Sequence, residues 1–282
     1  MALTSFVIHC NMLKFISLGS GSSGNCYFLF TENDGLMIDV GIGIRALKKY
    51  MHQYGLTLPQ IKHIILTHDH ADHVKSVGSL SHELNVPVYT SKLVHQGIMG
   101  NYCVRHKIDR QNIAYIEKGV PFSLGEFHIT PFEVPHDSAD NIGYVISCQG
   151  VTFCVITDIG HVTEEICGAI NQANYLVMEA NHDKEMLING PYSDHLKGRI
   201  SSPYGHLSNV ECAKALAENA SLGLRHVWLC HLSEENNHPE LARITVEQVL
   251  REYGIVVGAD FNVDVLKRKS PTGIYDLSPA DM

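Results

Sequence analysis

The sequence predicts an α/β (α+β) chain in which two sheets are covered on their outer faces by helices. The prediction rests on a series of short β-branched or apolar runs, on longer stretches with helical periodicity, and on the way the two kinds mix along the chain with turn signals between them. Strand character falls at residues 14–18, 26–30, 36–40 and 63–67, then at 86–90, 127–134, 143–148, 151–157, 175–179 and 226–230. Asn33-Asp34-Gly35 separates two of these runs, and Gln149-Gly150 joins two others as a hairpin by length and composition. Helical periodicity fits 44–54, 74–84, 94–102, 162–171, 209–219 and 239–253. Ser208 is placed to cap the helix at 209, and Gly254 follows the helix ending at 253 where a left-handed residue is expected.

The densest chemistry lies in His68-Asp69-His70-Ala71-Asp72-His73, directly after the apolar run Ile64-Ile65-Leu66-Thr67. His68 and His70 can converge on one ion. Asp72 and His73, where the loop enters a helix, can face a second beside it. Two ions about 3.5–4 Å apart suit hydrolysis. Further ligands come from His136, Asp158 and His231, each after its own β-branched or apolar stretch and so at a strand end. The expected set is His68, His70 and His136 on the first ion, Asp72, His73 and His231 on the second, and Asp158 bridging. Asp72 is also expected to act in catalysis. Two divalent ions against two carboxylates and one hydroxide leave a local charge of about +1, which favours an anionic substrate. With 18 histidines in the chain, a lone one is most simply a surface or core residue; the clustering carries the prediction.

The chain has 282 residues, 45% of them hydrophobic, enough for one large core, and no Pro/Gly/Ser-rich linker, charge block or internal repeat divides it. One domain over 1–282 is expected, with residues 1–12 as an extension outside the core. Those first residues lack a basic region and a cleavage site, and no stretch reaches the roughly 18 apolar residues of a spanning helix. No membrane partner and a cytoplasmic address follow. Eight cysteines without a Cys-x-x-Cys pair read as reduced, buried thiols. A formal net charge of −9 argues against broad nucleic-acid binding through a basic face. It leaves room for a nuclease whose positive potential is local.

Other candidates surround this centre. Gly19-Ser20-Gly21-Ser22-Ser23-Gly24-Asn25 lies between two strands, where Ser22, Ser23 and Asn25 can donate to phosphate oxygens. A flexible turn is the competing reading. Asp39, at a strand end, can orient a ligand imidazole. Lys197 with Arg199, or Lys267, Arg268 and Lys269, can line a groove, or be ordinary solvated charges.

With these residues in order, the chain resembles the metallo-β-lactamase-fold hydrolases, whose metal motifs His68-x-His70-x-Asp72-His73, His136, Asp158 and His231 match in sequence order. The resemblance implies a four-layer αβ/βα sandwich with a dinuclear site at one edge of the sheets. Asp158 stands where many antibiotic-hydrolysing members recruit a cysteine nearby, so the oxygen and nitrogen set admits Zn²⁺ or Mn²⁺. Gly205-His206-Leu207-Ser208-Asn209, leading to His231, is similar to the tail of the tRNA 3′-processing and related nuclease branches. That similarity makes His206 a candidate proton donor or phosphate contact. Gly19 to Asn25, Glu179-Ala180-Asn181-His182-Asp183, Leu196 to Ile200 and His231 to Asn237 together resemble the YycJ/WalJ group of bacterial proteins. The group implies a 5′-to-3′ exonuclease acting on duplex DNA, linked to mismatch repair, with a repair protein as a further partner. His182 and Asp183 would line the groove beside Lys197 and Arg199. The alternatives are an RNA-processing nuclease, a hydrolase of small thioesters, lactones or β-lactams, and a scaffold that has lost turnover.

Overall fold

Two seven-stranded mixed sheets pack face to face in the computed structural model, which describes residues 12–279. Residues 1–11, and with them Cys10 and most of the expected N-terminal extension, lie outside the described residues. In the first sheet β1 (Leu13–Gly19), β2 (Cys26–Phe30), β3 (Gly35–Ile38), β4 (His63–Ile65), β5 (Val88–Thr90) and β6 (Ile113–Tyr115) lie side by side in chain order. In the second, β7 (Phe122–Leu124), β8 (Phe127–Glu133), β9 (Ile142–Cys148), β10 (Val151–Ile156), β11 (Tyr175–Glu179), β12 (His226–Cys230) and β13 (Asn262–Val265) do the same, and β14 (Tyr275–Leu277) returns to pair with β1. Helices α1 (Ile44–Gln53), α2 (Ala71–Val74), α3 (Val77–Leu84) and α4 (Lys92–Gly100) belong to the first half. The second half carries α5 (Glu164–Gln172), α6 (Lys184–Asn189), α7 (Asp194–Ile200), α8 (Asn209–Asn219) and α9 (Pro239–Glu252).

Burial explains the layering. Phe15 of β1 meets Phe153 of β10 and Trp228 of β12 across the gap between the sheets, with ring centroids 5.0 and 4.6 Å apart. Each such ring, fully buried, contributes about 1.5–3 kcal/mol. A second apolar cluster lies behind the second sheet, where Ile166 of α5, Leu216 of α8 and Val246 of α9 cover Ile156, Leu176 and Leu229. On the first sheet Leu47, Leu80 and Val94 of α1, α3 and α4 are buried with its strands. The result is the expected αβ/βα sandwich. Among the described residues no helix is long and apolar enough to cross a membrane.

Strand direction decides where chemistry can gather. Strand β1 is antiparallel to β2 and β2 to β3, while β3, β4 and β5 are parallel. In the second sheet β8 and β10 flank β9 antiparallel to it, and β10, β11 and β12 are parallel. So β1, β3 and β4 deliver their carboxyl ends to one edge, as do β8, β10, β11 and β12 in the other sheet. Irregular chain at such an edge is where open α/β sheets place their sites.

Several local expectations hold. Cys148 pairs with Val151 around Gln149 (φ 51°) and Gly150 (φ 77°), the two left-handed residues of a tight hairpin turn. Ser208 and Glu211 form a reciprocal capping box on α8, and Gly254 (φ 82°) follows the end of α9. The helix expected over 74–84 is instead two. The Ser76 N–H is drawn to the carbonyl of Val40 at 2.9 Å, and Val40 N–H donates to His73 at 2.7 Å, so the exit of β3 cuts the helix after α2. Gly41 permits this approach: a Cβ there would stand 1.6 Å from the Asp72 carbonyl oxygen.

Candidate metal centre and its cavity

His68, buried at the exit of β4, points its ring into the site, with Thr67 Oγ1 3.0 Å from its Nδ1 and no hydrogen-bond partner at Nε2. His70 caps α2, and α2 itself carries Asp72 and His73. From the second sheet His136 follows β8, Asp158 follows β10 and His231 follows β12. These side chains meet as two triads. Donor atoms of His68, His70 and His136 lie within 4.8 Å of one another, and so do those of Asp72, His73 and His231. Asp158 stands between them: Oδ2 is 3.2 Å from His73 Nε2 and Oδ1 is 3.7 Å from His136 Nε2.

Neighbouring groups set which imidazole nitrogen faces inward. His73 Nδ1 lies 2.7 Å from Asp39 Oδ2, His136 Nδ1 lies 3.0 Å from the Gly205 carbonyl, and His231 Nδ1 lies 2.9 Å from Glu179 Oε1. Each acceptor fixes Nδ1 and turns Nε2 into the cluster, the orientation that metal-ligating histidines adopt. Asp39 also accepts from the Thr67 N–H at 2.8 Å, so it braces β4 as well as the ring.

Electrostatics shape the cluster further. Burial lowers the His68 pKa well below the usual imidazole value, which keeps a neutral donor beside the unpartnered Nε2. For His73 burial acts the same way, but Asp158, Asp39 and Asp72 outweigh it and raise the pKa to about 10. Burial raises Asp158, and His231, His73 and His68 reverse that, holding it well below the ordinary carboxylate range. Buried nitrogen and oxygen donors, an orphaned imidazole nitrogen and carboxylates kept ionised together fit a pair of divalent cations.

Backbone geometry is special at the same edge. Asp39 (φ 58°), Asp158 (φ 57°) and His231 (φ 52°) all adopt the left-handed conformation immediately after their strands. Non-glycine residues rarely do so. The hydrogen bonds just described hold them there, and the turn aims each side chain back across the sheet edge.

Glu179 is the functional candidate that reading the sequence overlooked. It ends β11 fully buried, and Oε1 accepts from His206 Nδ1 at 2.8 Å as well as from His231, while Oε2 accepts from the N–H groups of Ile159 (2.8 Å) and Leu207 (3.1 Å). Burial raises its pKa, yet His206 and His231 bring it down to about 2. The signal was present: an apolar strand, Tyr175-Leu176-Val177-Met178, closing on a carboxylate, the pattern already recognised at Asp39 and Asp158. Asp39 and Glu179 also change the charge expectation. Four carboxylates, not two, surround the site, so the positive excess anticipated from the ligands alone disappears.

A cavity of about 160 Å³ opens beside the second triad, lined by His231, His206, Ser22 and Arg199 among others. Of the expected substrate contacts, Ser22 and Arg199 reach it. The Arg199 guanidinium is already engaged in a two-pronged pair with Asp137. Ser23 is exposed and does not line the cavity. Asn25 is wholly buried, with Oδ1 accepting from Gly21 N–H at 2.9 Å and Nδ2 lying 2.9 Å from His73 Nε2 and 3.3 Å from Asp72 Oδ2, so it shapes the loop and the cluster. The Lys197 ammonium caps the Ile188 carbonyl at 2.7 Å. His182 is 2% exposed and lines a neighbouring cavity of about 220 Å³ that shares His206. Asp183 caps α6. Arg268 braces the loop after His231 through the carbonyls of Leu232 (3.0 Å) and Asn237 (2.9 Å), and Lys269 pairs with Glu234.

This geometry has relatives. Residues 36–232 match the model of the beta-lactamase superfamily domain. The chain is 34% identical over 265 residues to the exodeoxyribonuclease YycJ of Bacillus anthracis, covering 93% of this chain and 98% of that one. It is 32% identical over 266 residues to the exodeoxyribonuclease WalJ of Streptococcus pneumoniae, 94% of each chain. The crystal structure of Zn²⁺-bound PqqB from Methylobacterium extorquens shares the fold, with a TM-score of 0.71 at 17% identity over 94% of this chain and 100% of that one. From this match and these relatives, the chain belongs to the metallo-β-lactamase superfamily and, within it, groups with YycJ and WalJ as a metal-dependent hydrolase.

Proposed function

We propose that the protein cuts phosphodiester bonds in nucleic acid, as an exonuclease running 5′ to 3′ on duplex DNA. The observation that carries this reading is the meeting of two donor triads on Asp158 beside a cavity, in a chain that aligns almost end to end with proteins named exodeoxyribonucleases. His68, His70 and His136 would hold one divalent ion, Zn²⁺ or Mn²⁺, and Asp72, His73 and His231 another, with Asp158 touching both. Bound there, the ions would supply Lewis acidity toward a phosphoryl oxygen and lower the pKa of water.

The chain's own groups complete the chemistry. Asp72 keeps 22% side-chain exposure, unlike the fully buried His73, and so can orient a water and receive its proton. His206 has Nδ1 fixed by Glu179, which leaves its other nitrogen for substrate. Burial works against charge on that ring, but Glu179 and Asp158 more than offset it and raise its pKa above the usual imidazole value. A protonated His206 can therefore donate to the departing oxygen. Arg199 can neutralise a flanking phosphate by exchanging its Asp137 partner for a phosphate oxygen, and the Ser22 hydroxyl can donate to another. DNA repair is the cellular setting proposed for this activity.

The test is digestion of 5′-end-labelled and 3′-end-labelled duplex DNA, with a matched RNA, by the Mn²⁺-loaded protein and by Asp158→Ala. Metal-dependent release of mononucleotide from the 5′ label, absent in the variant, is the expected result. Cleavage of RNA alone would move the assignment to an RNA-processing enzyme. Inertness on both polymers with metal retained would favour a small-ester hydrolase.

A further inference from the structure

The cavity beside the second triad mixes two kinds of lining. His231, His206, Ser22, Asp137 and Arg199 are polar or charged, whereas Tyr192, Leu196 and Ile200 are aromatic or aliphatic. The latter come from one short stretch, the turn between α6 and α7 together with α7 itself, which also carries Arg199. Tyr192 is half-buried, and among the described residues its ring meets no other aromatic ring and its hydroxyl makes no hydrogen bond.

That turn is anchored on both sides. Gly190 sits against Asn236, so closely that a Cβ would stand 2.5 Å from Asn236 Oδ1. Asp183 N–H donates to the Asn236 carbonyl at 2.9 Å, and Ser193 caps α7 by accepting from the Leu196 N–H at 3.3 Å. The loop that carries Asn236 follows directly from His231. Tyr192 is therefore held at a fixed place relative to the triad.

Arg199 in the same lining suits a phosphate. The Tyr192 ring suits the flat face of a nucleobase, because stacking needs only a π-surface and tolerates any base. With His231 and His206 lining the same cavity, the base that fits is the one adjoining the bond to be cut. Size narrows the ligand further. About 160 Å³ is well below the roughly 300–1,000 Å³ of pockets that enclose a drug-sized ligand, so a single unit of the polymer enters and a stacked base pair does not.

We propose that this cavity is a slot for one nucleobase, stacked on Tyr192 between Leu196 and Ile200, which holds the terminal nucleotide unpaired while its phosphodiester is cut. The proposal rests on the exonuclease reading and adds the recognition element to it. Since the terminal pair must open before the base can enter, ends that open easily are cut faster.

The experiment measures initial release of the first nucleotide from 5′-phosphorylated duplexes that differ only at the end: a matched pair, a mismatched pair, or an abasic 5′ nucleotide. Mn²⁺-loaded wild type is compared with Tyr192→Ala and Tyr192→Phe. Wild type should cut the mismatched end severalfold faster than the matched one and the abasic end about 5- to 100-fold more slowly than the mismatched one. In Tyr192→Ala the base-to-abasic ratio should collapse toward one, and Tyr192→Phe should retain it. A wild type indifferent to the missing base, or a folded Tyr192→Ala that keeps the full preference, would overturn the slot and leave the exonuclease intact. Should Tyr192→Ala not fold, the wild-type ratio alone decides. No hydrolysis of any end would overturn the exonuclease reading and the slot with it.

Discussion

On the first sheet, the ligand-type side chains His68, His70, Asp72 and His73 come from one connection, whereas on the second His136, Asp158 and His231 each come from a separate strand. The first arrangement is set locally, by the exit of β4 and the single turn of α2. The second is set by sheet register, because the parallel pairing of β10, β11 and β12 brings Asp158, Glu179 and His231 within one residue of level at one edge. Their supports differ in the same way. Asp39 holds one imidazole, His73, and one backbone N–H, that of Thr67, while Glu179 holds two imidazoles, His206 and His231, and two backbone N–H groups, those of Ile159 and Leu207. A site assembled from both kinds of parts should fail differently according to which part is removed.

The largest effect is expected where the two halves join. Asp158→Ala should lower kcat/KM on DNA by more than about 100-fold, because loss of a group merely supporting a ligand already costs about 10- to 100-fold. Elemental analysis should show metal lost from both positions together. If only one ion is lost, Asp158 belongs to one half and does not couple them.

Next come the two supporting carboxylates, which sharpen the comparison. Glu179→Gln should reduce activity toward the upper end of about 10- to 100-fold, and Asp39→Asn toward the lower end. Thermal unfolding should rank them the same way: Glu179→Gln leaves buried N–H donors at Ile159 and Leu207 less well satisfied and Asp39→Asn only that of Thr67, each at a cost of about 1–3 kcal/mol. Equal losses in both variants would mean that register and local turn matter alike.

Removal of metal should lower stability by an amount near the upper end of that range. Ions at 100 times their dissociation constant stabilise the fold by about 2.7 kcal/mol, so a chelator should lower the Tm of the wild type and scarcely alter that of Asp158→Ala. Smallest of all are the changes at the rim. Arg199→Ala should raise KM severalfold with little change in kcat, and Lys197→Ala, whose ammonium caps a carbonyl away from the cavity, should remain within about 0.5 kcal/mol of wild type in stability. Steady-state kinetics on a fixed duplex and a thermal melt check both.

The same contrast explains what could be read from the residues. The His68 to His73 segment is a local pattern, visible in a single window, and the strand ends at His136, Asp158 and His231 could be located because each follows an apolar run. Glu179 follows one too, but a single Glu at a strand end has no nearby partner in sequence; its partners His206 and His231 are brought to it only by the fold. Among strands, β6, β7, β13 and β14 were not anticipated, and they are the outermost strands of the two sheets. They are three or four residues long and partly exposed, so neither length nor alternation marks them. Helices α6 and α7 escaped for a related reason: they are short, largely polar on the surface, and separated by Gly190-Pro191. Asn25 and Lys197 show the opposite case. Their side chains suit phosphate, but burial and a nearby carbonyl give them other partners, and residue type alone does not reveal that.

The most direct measurement is anomalous scattering from crystals of the metal-loaded protein. Two peaks about 3.5–4 Å apart, one against His68, His70 and His136 and the other against Asp72, His73 and His231, with Asp158 reaching both, are the predicted result. A single peak, or two that do not share Asp158, would contradict a centre built jointly by the two sheets.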